Sequence, residues 1–183
     1  LTKTVLASGT EKTITAADRQ RVRKLIDKWS NEGFRLMAVA YKHLPASKTV
    51  YTVKDETDLI LMGFLAFLDP PKASATEALA SLSNLGVTVK VLTGDNVLVA
   101  RKVCSEVGLN TDSILSGSDI QALTDKQLIP KLETTSVFAK LTPADKERII
   151  GLLRRQKHVV GYLGDGINDA PALRAADVGI SVD

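Results

Sequence analysis

A single cysteine, Cys104, stands among 183 residues. It rules out an internal disulfide, and its place in the helical stretch 97–107 makes it a packed thiol. No run of 18 or more apolar residues occurs, and 59–68 is too short to cross a bilayer, so the segment is not itself a membrane helix. The opening Leu-Thr-Lys-Thr-Val-Leu-Ala-Ser-Gly-Thr has neither a starting Met nor a signal peptide's long apolar centre, and reads as the edge of a fragment. A net charge of only +3, with basic residues dispersed apart from 19–24 and 154–157, argues against a nucleic-acid partner. Those two runs are read as solvated helix faces. Internal repeats and low-complexity tracts are missing, and His43 has no second ligand nearby, so it is read as a surface residue. The remaining composition, 44% hydrophobic and 25% charged, is that of a soluble globular chain with one sizeable core or two small ones.

What is present is concentrated in Val159 to Asp169, Val-Val-Gly-Tyr-Leu-Gly-Asp-Gly-Ile-Asn-Asp. Its apolar start, without polar alternation, predicts a strand buried on both faces in the middle of a parallel sheet. Gly164 and Gly166 permit a tight turn at the carboxyl end of that strand, where open α/β sheets bind ligands. Asp165 falls at the mouth of the crevice. Asn168 and Asp169 follow at the start of a helix with Pro171 in its first turn. Two carboxylates and an amide oxygen form the hard shell that Mg²⁺ prefers when phosphate supplies further ligands. A capped helix after a Gly-Asp-Gly turn is the plainer reading of part of this stretch, but the complete Gly-Asp-Gly-Ile-Asn-Asp run favours the phosphate site.

Taken in order, 14–29 is predicted helical, capped by Thr15, with Val22, Leu25, Ile26 and Trp29 on its apolar face. Trp29 is read as a core aromatic rather than a base-stacking one. Phe34 to Tyr41 follows as a strand. Its lone cation, Arg35, suits equally an ion pair with a neighbour such as Glu32 and a bidentate grip on a phosphate. The apolar stretch 58–68 ends in Asp69-Pro70-Pro71-Lys72, where two prolines fix φ and keep Asp69 out of the helical region. That stiff connector marks a domain boundary near residue 70. Beyond it, predicted helices at 74–85, 96–107, 124–132, 143–156 and 169–175 alternate with strands at 87–92, near 114, 137–141, 159–163 and 178–182. Such alternation implies a doubly wound parallel sheet with right-handed crossovers.

Three strand ends in this second part carry polar chemistry: Thr93-Gly94-Asp95, Lys140 to Lys146, and Asp165 to Asp169. Neighbouring parallel strands end on one edge of a sheet, so these groups can converge on one ligand. The Thr93 hydroxyl and Gly94 amide can donate to a phosphoryl oxygen, and Lys146 can act as a point charge on the same group. None of these is an evident nucleophile. An aspartate at a fourth strand end would have to supply one, and Asp95 follows the threonine instead of opposing it.

Together these motifs resemble those of the haloacid dehalogenase-type phosphorylation domain of P-type ATPases. Asp69-Pro70-Pro71-Lys72 is similar to the family's Asp-Pro-Pro hinge and Thr93-Gly94-Asp95 to its Thr-Gly-Asp motif. Phe138-Ala139-Lys140-Leu141-Thr142-Pro143 to Lys146 is similar to its lysine loop, and Gly164 to Asp169 to its Gly-Asp-Gly-x-Asn-Asp loop. Asn31-Glu32-Gly33-Phe34-Arg35 resembles a nucleotide-domain strand whose arginine contacts ATP phosphates. The wording around Phe67, Val89 and Ala172 is most similar to bacterial magnesium-transporting members, with calcium or other cation pumps as the alternative.

The resemblance implies a haloacid dehalogenase-like, Rossmann-like α/β parallel sheet in 70–183, preceded in 1–69 by the C-terminal part of an α+β nucleotide-binding domain. It implies ATP and Mg²⁺ as cofactors and a cytoplasmic portion of an integral protein of the bacterial inner membrane. Thr93, Gly94, Asp95, Lys146, Asn168 and Asp169 become the catalytic set. Arg35, Asp69 and Lys72, with Thr93, Gly94, Asp95 and Lys146, bind the nucleotide, and Asp165 and Asp169 bind the metal. The Asp-Lys-Thr-Gly-Thr segment with the phosphorylated aspartate, the actuator domain and the membrane helices are not in this sequence. The fragment is therefore expected to be inactive alone, and 70–183 to expose open apolar strand edges where a central strand belongs. Two rival readings remain: a soluble phosphatase of the same superfamily, which calls for an Asp-x-Asp motif not found here, and a nucleotide- or Mg²⁺-binding module.

Overall fold

A computed structural model of the chain describes residues 2–5, 8–164 and 169–181. They fall into two compact units, 1–69 and 70–183. In the first, β1 (Lys3–Val5), β2 (Glu11–Thr13), β3 (Phe34–Tyr41) and β4 (Ile60–Leu68) form one sheet in the order β2-β1-β4-β3. The helix α1 (Ala16–Asn31) opens with a reciprocal capping box between Thr15 and Asp18. Hydrogen bonds from the Thr15 hydroxyl and amide hold the Asp18 carboxyl well below the usual range. Gly33, at φ 92°, then turns the chain into β3. Trp29 packs with its ring centroid 6.5 Å from that of Phe34, a packing role. β3 and β4 pair antiparallel, with Arg35 opposite Phe67 and Met37 opposite Leu65. These four side chains share one face and are exposed. At the far end of β3, His43 pairs with Glu11 at 2.6 Å and helps to lower that carboxyl to about 2.

The second unit holds β5 (Val91–Leu92), β6 (Ile114–Ser116) and β7 (Val137–Ala139) in a parallel sheet of order β5-β7-β6, and β8 (Gly161–Gly164) paired in parallel with β9 (Val178–Ser181). Its helices are α2 (Ala75–Asn84), α3 (Val97–Glu106), α4 (Gly117–Ala122), α5 (Asp125–Thr134), α6 (Pro143–Arg155) and α7 (Ala170–Ala175). The central strand β7 is wholly buried, and its alternation divides the core in two. Phe138 packs with Ile120, Leu128 and Leu132 and with Ile149 and Leu152 of α6. Val137 and Ala139 face the other way, onto Ala100 and Cys104 of α3. Burial of Phe138 alone is worth about 2–3 kcal/mol. Cys104 is a packed thiol, pushed above its usual pKa by that burial.

Arg148 clasps the helical layer. Its guanidinium donates to the Asp125 carboxylate at 2.8 and 3.1 Å and to the carbonyls of Ile120 and Leu123, each at 2.8 Å. The Arg148 hydrogen bond draws the Asp125 carboxyl below its usual pKa. Lys90 serves the other end of α5, donating to the Leu132 and Thr135 carbonyls at 2.5 and 2.9 Å.

Two expectations need correction. The strand expected at 159–163, buried on both faces in mid-sheet, begins at Gly161 and, among the described residues, pairs with β9 alone, leaving Val159 87% and Leu163 62% exposed. The strand expected at 87–92 is ordered as a strand only at Val91–Leu92. Both have one physical cause. β5 and β8 are edge strands, and between them lies a cleft of about 450 Å³ lined by residues that include Lys90, Leu92, Val160, Gly161 and Tyr162. A parallel strand is buried on both faces and paired along its length only with neighbours on both sides. The strands β1 and β2 and the helix α4 were not foreseen from the sequence.

Candidate functional site

Two strand ends are stitched together before any side chain is considered. The Thr93 amide donates to the Phe138 carbonyl at 2.9 Å, the Leu141 amide to the Thr93 carbonyl at 3.0 Å, and the Lys140 amide to the Asp95 carbonyl at 2.7 Å. The Asp95 amide donates to the Thr93 hydroxyl oxygen at 3.1 Å, which orients that hydroxyl. Beyond it, Asn96 caps α3 through two amides at 3.0 Å. Lys140 holds a left-handed φ of 53° within this lacing, a strain of about 1–3 kcal/mol that surrounding hydrogen bonds must sustain.

The start of α6 is fixed as firmly. Thr142 caps it, and Asp145 returns the bond, accepting from the Thr142 amide at 2.9 Å and hydroxyl at 2.7 Å. Gln121 of α4 donates to both Asp145 oxygens at 3.1 Å. Burial alone would raise the Asp145 carboxyl, but the Thr142 and Gln121 hydrogen bonds outweigh it and hold the group below its usual pKa. At Gly117 a Cβ would stand 2.4 Å from the Lys140 carbonyl oxygen, so α4 abuts the loop backbone to backbone. Lys146 follows Asp145 on this braced turn.

The Lys146 ammonium reaches Oδ1 of Asp169 at 2.6 Å, with both side chains nearly buried, at 13% and 11% exposure. Tyr162 of β8 donates its hydroxyl to the same oxygen at 2.9 Å. Gly164 makes the approach possible. A Cβ there would lie 2.8 Å from both Cβ and Oδ2 of Asp169 and 3.0 Å from Cε1 of Tyr162. Gly94 has no such constraint, since a Cβ would meet only the Leu141 carbonyl oxygen, at 3.7 Å.

The structure thus links Thr93, Gly94 and Asp95 to the loop that carries Lys146, and Lys146 to Asp169. Asp165 and Asn168 lie outside the described residues. Asp69 and Lys72 are exposed on the connector, and Arg35 is exposed on β3 in the other unit. Among the described residues no group of three His, Cys, Asp or Glu could hold a metal ion. Of the two expected metal ligands only Asp169 is described, and its Oδ1 is engaged by an ammonium and a phenol. Tyr162, Asp145, Gln121 and Gly117 were missed from sequence. Of these only Asp145 left a local signal, the Thr-x-x-Asp spacing of a capping box.

A family model described as haloacid dehalogenase-like hydrolase matches residues 3–177. The chain belongs to that family. For a haloacid dehalogenase-like hydrolase, the parallel α/β unit with polar groups at its strand ends is the expected frame, and the observed β5-β7-β6 sheet agrees with it. The chain is 54% identical over 164 residues to a magnesium-transporting P-type ATPase of Escherichia coli strain K12, covering 90% of this chain and 18% of that protein. It is 56% identical, with the same coverage, to a magnesium-transporting P-type ATPase of Salmonella typhimurium strain 14028s. A calcium-transporting ATPase of Listeria monocytogenes is 32% identical over 97% of this chain and 20% of its own length. The chain therefore spans about a fifth of the length of these relatives. No helix among its described residues is long and apolar enough to cross a membrane.

Proposed function

We propose that this chain is a cytoplasmic part of an ATP-driven cation pump of the bacterial inner membrane, working through an aspartyl-phosphate and moving Mg²⁺. The reading takes 1–69 as part of a nucleotide-binding domain and 70–183 as part of the phosphorylation domain. The observation that carries it is the joining of the Thr93 turn, the Lys146 loop and Asp169 through the backbone lacing and the Lys146–Asp169 pair. The similarity to magnesium-transporting ATPases favours Mg²⁺ as cargo over Ca²⁺ or another cation.

In this reading the Thr93 hydroxyl and Gly94 amide donate to the transferred phosphoryl group, and the Lys146 charge offsets charge that grows on its oxygens. Asp169 fixes Lys146, while Asp95 orients Thr93 through its amide. Arg35 would hold nucleotide phosphates on the exposed face of β3, with Asp69 and Lys72 at the hinge and Asn168 ordering the loop. A catalytic Mg²⁺ would be held by the Asp165 carboxylate, with Asp169 in support. When bound, that ion would offset negative charge on the transferred phosphoryl group. The nucleophilic aspartate would come from a segment outside this sequence, so the chain alone is inactive.

The test is incubation of the full-length protein with γ-labelled ATP. Acid-stable, hydroxylamine-labile label, lost in the Lys146→Met variant and accompanied by Mg²⁺ movement into or out of vesicles, is the expected result. Label acquired by the 183-residue chain itself would overturn the assignment of the nucleophile.

A further inference from the structure

We propose that Tyr162 is a positioning residue for Lys146, acting through Asp169. The inference rests on the phosphoryl-transfer reading above and adds a residue to it. Along β8 the even positions, Tyr162 and Gly164, are buried, while Gly161 and Leu163 are exposed. The Tyr162 ring therefore points into the unit, where it packs with Ile150 of α6 and Ala172 of α7. Its hydroxyl is held by a rigid ring that contacts the helix carrying Lys146 and the helix that Asp169 opens.

Lysine is a point charge on a flexible four-carbon stem, so its placement depends on what holds the ammonium. Here that group is Asp169, one of whose oxygens accepts from Lys146 at 2.6 Å and from Tyr162 at 2.9 Å. Phenylalanine would fill the same apolar space, so packing gives no reason for a hydroxyl at this position. The hydroxyl sets the carboxylate's rotation, and through it the place of the charge. Gly164 belongs to the same device, because any side chain there would displace both the carboxylate and the ring edge.

The experiment compares the full-length protein with its Tyr162→Phe variant in two assays. Acylation of individual lysines by acetic anhydride, followed by peptide mass at one fixed pH, reports the Lys146 pair whether or not the protein pumps. Lys146 is expected to react at least threefold faster in the variant. Lys90, anchored on the carbonyls of Leu132 and Thr135, should be unchanged. The rate of acid-stable phosphoenzyme formation at saturating ATP is expected to fall about tenfold or more, as for a lost hydrogen bond to a charged group. The KM for ATP should stay the same. Unchanged Lys146 acylation overturns the proposal, as does equal acceleration at Lys90, which would mark a structural role. A parent protein that forms no phosphoenzyme, but whose Lys146 acylation responds as described, would support the positioning and overturn the pump reading.

Discussion

Replacing Gly164 with alanine is the sharpest test of the site's packing. The new methyl would be 2.8 Å from Cβ and Oδ2 of Asp169 and 3.0 Å from the Tyr162 ring. Ordinary contact begins near 3.4 Å, so Asp169 must retreat by about 0.6 Å. Forcing a methyl into a packed site costs about 1–3 kcal/mol. Weakening the Lys146–Asp169 bond adds about 1 kcal/mol or more. Against a urea slope of about 1–2 kcal/mol/M for a unit of this size, a total of about 2–4 kcal/mol should lower the midpoint by about 1–4 M. The probes weight the two units differently: the one tryptophan, Trp29, lies in 1–69, whereas α2 to α7 lie in 70–183, against α1 alone among the described α-helices of 1–69. Loss of helical circular dichroism should therefore come at lower urea in Gly164→Ala, with the Trp29 fluorescence transition unmoved. Gly94→Ala, whose methyl meets only a carbonyl oxygen at 3.7 Å, is the control and should shift by under about 0.5 M. Equal midpoints for Gly164→Ala and the parent would refute the packing.

Asp145 gives a pH signature. Its folded pKa is depressed, so the stability it lends is complete above the unfolded value near 4 and is lost as pH falls through the folded value. Asp145→Asn should cost about 1–3 kcal/mol at neutral pH and flatten the acid limb of a stability–pH curve. Arg148→Met strands the Ile120 and Leu123 carbonyls as well as Asp125, and should lower the same dichroism midpoint by about 1–2 M. Gly117→Ala, aimed at the Lys140 carbonyl oxygen from 2.4 Å, should slow phosphoenzyme formation in the full-length protein and destabilise 70–183. A normal rate would show that the Lys140 loop does not need that close approach.

Local patterns announced what local forces decide. Phe34 to Tyr41 was legible as a strand from end to end because its bounds are set by Gly33 and by the polar residues after Tyr41. The helices at α1 and α6 carried Thr15 and Thr142 as caps. β1 gave no such signal, since Lys-Thr-Val is polar and short, and its order comes from pairing in parallel with Ile60 and Leu61 far along the chain. Val159 misled because an apolar run reports what a segment can bury, not whether a neighbour is there to cover it. In the site, residues that carry chemistry at strand ends were readable from type and spacing. Tyr162 was not, because a tyrosine within an apolar strand reads as packing until Asp169 is seen folded back over Gly164.

The helix α6 has a consequence beyond its place in the core. Ile149, Leu152 and Leu153 pack on the layer around Phe138, while Ile150 packs with Tyr162 and Ala172. Among the described residues no strand ladder joins the β5-β7-β6 sheet to β8-β9, so side chains join them, those of α6 together with Leu92 of β5, which packs against both clusters. Amide hydrogen exchange should therefore find β7 and α6 slowest, and β8, α7 and β9 released together in a cheaper, sub-global opening. Lys146 sits on the slow side of that division and Asp169 on the fast side. The charge pair is broken each time the smaller half opens, long before the larger half unfolds.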